Sequence, residues 1–168
     1  MKTLHILNTM LACSLLPLSF APRADDLRLP VNAPPAYRAE CGSCHIAFPP
    51  QLLGAEDWKR VMAGLDKHYG DNASLDARTR RTIKDFLVSH AGNARKGGIG
   101  GAAAKPGDLP RLTATPWFTR KHHEVSRADW SHPKVKTPSN CAACHTRASQ
   151  GSYREREIVM PDGRRWED

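Results

Sequence analysis

The chain has 168 residues, with 25 Lys and Arg against 17 Asp and Glu, for a formal charge of +8. That length suits one domain or two very small ones. The basic residues are scattered rather than blocked, which argues against a nucleic-acid-binding protein and leaves the charge to serve solubility and an acidic docking partner.

Residues 1–24 read as a secretory signal peptide. Lys2 gives a positive start, Leu11 to Phe20 form an apolar stretch broken by Pro17, and "APRADD" offers a cut after Ala24. Pro22, third before that cut, departs from the small-residue rule for such sites. The apolar run is shorter than the ~20 residues that a membrane span needs, and no later stretch is a better candidate. The expected mature protein is therefore exported to the periplasm and does not span the membrane. Of the five cysteines, Cys13 leaves with the signal. Cys41, Cys44, Cys141 and Cys144 remain, in a compartment where free thiols do not persist.

The rest divides into a first domain at 25–92, a Gly/Ala-rich connector at 93–108 and a second domain at 109–168. Residues 25–40 read as an irregular, Pro-rich lead-in. Trp58, Val61, Met62, Leu65 and Tyr69 fall at helical spacing, which predicts a helix over 56–69 that Gly70 stops. A second helix is expected from a Ser74 cap to about His90, with Gly92 beyond it. The second domain has little periodicity. A brief helix is expected within "TPWFTRKHHEVSRADW", another on "NCAACHTRA", and a turn or hairpin around Pro161 to Gly163.

Neither domain has much to bury, since aromatics are 7% of the chain, and segments this small usually need a staple beyond their own core. The cysteines identify it. They occur as "CGSCH" at 41–45 and "CAACH" at 141–145. Zinc would need both pairs to converge across 100 positions and a connector. A thioredoxin-like pair would need a preceding strand, and none is suggested. Neither chemistry explains the histidine that follows each second cysteine. Covalent haem does: the two thiols add to the vinyl groups of one porphyrin and the adjacent imidazole binds its iron. Cys41, Cys44 and His45 would hold one haem c, and Cys141, Cys144 and His145 a second.

The ligand on the far side of each iron decides the function. For the first haem the candidates are His68, Met62 and His90. For the second they are His122, His123, His132 and Met160. Closed irons suit electron transfer; a peroxidase-like enzyme or a gas-binding sensor needs an open or labile sixth position.

Four stretches, in order, resemble the bacterial dihaem cytochrome c family: "AECGSCHIAFPPQLL", "WKRVMAGLDKHYGDNASLD", "TPWFTRKHHEV" and "DWSHPKVKTPSNCAACHTRA". They cover most of the expected mature chain. The resemblance implies a mostly α protein, with a small cytochrome c-like N-terminal haem domain followed by an irregular, short-helix C-terminal haem domain. It implies two low-spin, bis-histidine haems, with His68 as the distal ligand of the first. The family's second distal histidine is followed by a basic residue and Glu, as in "KHRE". Here "KHHE" puts His122 at the ligand position and His123 where Arg is usual. The resemblance also implies an electron carrier rather than an enzyme, with a small monohaem cytochrome or a membrane b-type cytochrome as partner.

Overall fold

The computed structural model describes residues 27–93, 99 and 108–167. The expected signal peptide and most of the connector lie outside those residues. Among the described residues the fold is mostly helical, and extended segments pair only at isolated bridges.

Helix α1 (Pro35–Cys41) occupies part of the expected irregular lead-in. The prolines that suggested a loop instead start a helix. Pro35 takes the first position, where its missing N–H is no loss and its fixed φ is already helical. Helix α2 (Ala55–Ala63) opens with Glu56 and Asp57, suited to the positive end of its dipole, and buries Trp58, Val61 and Met62. It stops well short of the expected Tyr69. Gly64 ends it, packed so closely that a Cβ there would lie 2.9 Å from Leu109 Cδ2. A 3-10 turn, Leu65–Lys67, then carries the chain to His68.

Helix α3 (Ala77–Ser89) is capped by Asp76 rather than by the expected Ser74. The Asp76 carboxylate accepts the amide hydrogens of Arg78 and Thr79 at 2.9 and 3.0 Å, a trade that satisfies two orphan donors. Helix α2 packs against α3, and α1 touches it. Gly92, just past α3, donates its N–H to Leu53 O at 2.9 Å. A Cβ at Gly92 would sit 2.1 Å from Gln51 O, so only glycine allows that approach.

The stretch "TPWFTRKHHEVSRADW", expected to hold one brief helix, holds two, α4 (Pro116–Lys121) and α5 (Arg127–Trp130). Thr115 caps α4, its hydroxyl accepting from Phe118 N at 3.1 Å. The expected helix on "NCAACHTRA" is absent. Cys141–Ala143 form a 3-10 turn, and Cys144 leaves helical backbone at φ −123°. Asn140 sends its amide to the carbonyls of Lys134 and Val135, both at 3.2 Å, and so provides no cap. The chain reverses around Pro161 to Gly163 as expected, with Met160 N donating to Arg164 O at 2.8 Å.

One apolar cluster joins both sides of the connector. Leu112 and Phe118 share it with Tyr37, Leu52, Trp58, Met62, Ile83, Phe86 and Leu87. Leu27 belongs to it as well and donates its N–H to Gly151 O at 2.9 Å. The segment before α1 therefore lies against the C-terminal part of the chain. Among the described residues no helix is long and apolar enough to cross a membrane.

Candidate haem sites

Cys41 closes α1, and the chain turns through Gly42 to an exposed Cys44 and then His45. The His45 ring stacks on Phe48 with centroids 4.5 Å apart. Its Nδ1 lies 2.7 Å from Ile46 O. A carbonyl accepts only from N–H, so the proton is assigned to Nδ1 and the lone pair to Nε2. The turn between α2 and α3 brings His68 opposite, its ring centroid 6.3 Å from that of His45 with the planes 27° apart. His68 Nδ1 is buried without a hydrogen-bond partner. Burial, and then the neighbouring His45, hold the His68 imidazole below its ordinary pKa.

The second pair is built from α4 and the turn at Cys141–Ala143. His122 caps the C-terminal end of α4, its Nδ1 2.9 Å from Phe118 O, so the same tautomer is assigned. Its ring stacks on Phe118 at 4.0 Å and lies 5.9 Å from Trp130. His145 lies 6.0 Å from His122, with the ring planes 78° apart. Tyr153 covers its other side at 5.2 Å. Burial, followed by His122, takes His145 down to about 4, and burial also lowers His122. All three lowered imidazoles are thus biased toward the neutral form, the one that binds metal.

Beside His122 and His145 opens a cleft lined mainly by apolar groups such as Trp117, Val125, Val135 and Trp166. Cys141 and Cys144 face it too, and burial pushes the Cys141 thiol up to about 11. None of the four described cysteines is in a disulfide.

The ring spacing is informative. An imidazole nitrogen binds a first-row metal at about 2 Å, so two rings on opposite sides of one metal have centroids roughly 6 Å apart. Both pairs have that separation. With an unpaired Cys-x-x-Cys beside each pair and an apolar cleft at the second, the residues present fit two covalently attached haems.

The other sequence candidates lie elsewhere. His123 is exposed, bonded through Nδ1 to Arg120 O at 2.9 Å. His132 is half-buried and accepts from Lys134 N at 3.2 Å. His90 ends α3, its Nδ1 2.9 Å from Phe86 O. Met62 is packed in the core at 3% exposure, whereas Met160, 2% exposed, lines the second cleft. Among the described residues no group of three or more His, Cys, Asp or Glu converges as a metal site. Sequence reasoning missed Phe118, Trp130 and Tyr153. For Phe118 a signal existed, because it precedes His122 by four residues and a helix places that carbonyl beneath the imidazole.

A family model described as dihaem cytochrome c matches residues 37–153. Among solved structures, the chain is similar to a dihaem cytochrome type c from Shewanella baltica OS155. That match has 38% identity and a TM-score of 0.66, covering 79% of this chain and 97% of that one. A dihaem cytochrome c from Rhodobacter sphaeroides matches with 43% identity and a TM-score of 0.61, covering 74% and 99% of the two chains. A search of curated proteins found no match. The chain belongs to the dihaem cytochrome c family, with two covalently bound c-type haems and the electron-transfer role such haems imply.

Proposed function

We propose that the protein is an exported, periplasmic electron carrier in which both haem irons are six-coordinate between two imidazoles. His45 and His68 flank the first iron, with thioethers to Cys41 and Cys44. His145 and His122 flank the second, with thioethers to Cys141 and Cys144. The observation that carries this reading is the pairing itself. Each Cys-x-x-Cys-His histidine faces one other histidine, at 6.3 and 6.0 Å between ring centres. Export is supported by the signal-like pattern of residues 1–24.

Each haem supplies a one-electron iron centre, and imidazole on both faces favours its ferric state, giving low potentials relative to His/Met cytochromes. The chain's own residues do the rest. The carbonyls of Ile46 and Phe118 hold the Nδ1 protons of His45 and His122, fixing ring orientation and leaving Nε2 free. Phe48, Phe118, Trp130 and Tyr153 cover the imidazoles and exclude water. A filled sixth position leaves no place for a substrate, so no residue is given a catalytic role.

The partner would be a small monohaem cytochrome or a membrane b-type cytochrome. The excess of basic residues suits an acidic docking face, so raising ionic strength should slow electron exchange with it. The test of the coordination is carbon monoxide added to the reduced protein. An unchanged spectrum is expected, and a large Soret shift would rule out closure of at least one iron.

A further inference from the structure

The four proposed imidazoles are not held equally. A metal-bound histidine is normally oriented by a partner for its other ring nitrogen. His45 and His122 have such partners in the carbonyls of Ile46 and Phe118. His45 and His145 also directly follow a cysteine that would be bonded to the porphyrin. His68 has neither device: its Nδ1 is buried without a partner, and no cysteine is near it in sequence.

What fixes His68 is the backbone turn that carries it. Its carbonyl accepts from Asp71 N at 3.0 Å, and Tyr69 adopts a left-handed conformation at φ +52°. A bulky side chain rarely adopts that conformation and keeps it only where its surroundings insist. Those surroundings come from the far side of the connector. The Tyr69 hydroxyl donates to Pro110 O, and the Arg111 guanidinium lies 4.5 Å over the Tyr69 ring. Both anchors are mounted firmly, since Pro110 and the following Leu112 are buried. The Tyr69 ring in turn meets the His68 ring edge-on at 4.8 Å and 65°.

We propose that Tyr69 and Arg111 act as a clamp that positions His68 on the first iron, making closure of the first haem depend on the C-terminal half. This rests on His68 being the distal ligand. Losing the Pro110 hydrogen bond or the Arg111 cation–π contact should each weaken His68 ligation about fivefold. The second haem should be unaffected.

The test is carbon monoxide titration of the reduced holoprotein, with the potential of each haem read alongside. His68→Ala serves as the reference for an open first haem. Tyr69→Gly, which suits the left-handed backbone but removes both contacts, should bind carbon monoxide at one haem of the two with the His68→Ala spectrum. Tyr69→Phe and Arg111→Ala should bind it more weakly, and Arg111→Lys should restore part of the closure. Arg111 is exposed, so its replacement leaves the fold intact even if Tyr69→Gly does not fold. Clamp variants as closed as the wild type, with His68→Ala open, overturn the clamp and leave the ligand assignment standing. A wild type that binds carbon monoxide, or a closed His68→Ala, overturns the ligand assignment and the clamp with it.

Discussion

Phe118 offers the sharpest test of how the two halves are joined. It is 8% exposed, belongs to the cluster that contains Leu52, Trp58 and Phe86, and stacks on His122 at 4.0 Å. Truncating such a side chain to alanine removes its transfer energy and leaves a cavity, at a combined cost of about 3–5 kcal/mol. With a guanidinium slope of roughly 4 kcal/mol per molar, the unfolding midpoint of Phe118→Ala should fall by about 1 M. Far-UV circular dichroism reports mainly α2 and α3, the longest helices, which lie on the other side of the connector. If the core is shared, that signal must fall at the same lowered midpoint as the Soret band. Phe118→Leu, which keeps most of the apolar volume, should cost about 1 kcal/mol. A far-UV midpoint unchanged in Phe118→Ala, with only the Soret transition displaced, would refute the shared core and make the halves independent folding units.

Other expectations are equally concrete. His122→Ala should open one haem to carbon monoxide in the reduced protein, while His123→Ala, which alters an exposed ring, should leave both closed. The ring planes differ by 27° in one pair and 78° in the other, so paramagnetic resonance should resolve two low-spin ferric signals of unlike anisotropy; two identical signals would contradict these orientations. Asp129 bonds to Ser126 and pairs with Arg164 at 2.6 Å, and these contacts, Ser126 first, hold its carboxyl below the usual range. Its stabilising effect should be present above the ordinary carboxylate pKa of about 4 and fade as pH falls through the lower folded value. Asp129→Asn should therefore melt below the wild type at pH 7, and acidification should close the gap. At Gly151, φ is +77° and a Cβ would lie 2.5 Å from Arg28 Cα; Gly151→Ala should cost at least about 1 kcal/mol, measured by denaturant titration, and loosen the segment at Leu27.

Much of the chemistry was legible in sequence because covalent haem attachment is local. Two thiols three apart and the next imidazole must be contiguous whatever the fold does, so 41–45 and 141–145 could be read directly. The long helix α3 was legible too, since Ile83, Phe86 and Leu87 repeat at helical spacing. The failures arose where a residue type carries two meanings. Pro35 starts a helix as readily as it marks a loop, and Gly64 rather than Gly70 ends α2, at a position where a Cβ would lie 2.9 Å from Leu109 Cδ2, far along the chain. Asp76 outcompeted Ser74 as a cap, while Asn72 took the Ser74 amide hydrogen at 2.9 Å. Between the adjacent His122 and His123 only the resemblance chose, by placing His122 at the ligand position; in the fold the two diverge at the end of α4, His122 toward His145 and His123 into solvent. Tyr69 read as the end of a helical stripe and gave no sign of its contacts, since both lie about forty positions away at Pro110 and Arg111.

Two closed haems per chain is the claim on which the rest depends, and low-temperature paramagnetic resonance of the oxidised protein, integrated against protein concentration, tests it most directly. The expected result is two low-spin ferric irons per chain, accounting for all of the iron present. A high-spin ferric signal of comparable intensity, or a single iron per chain, would contradict it.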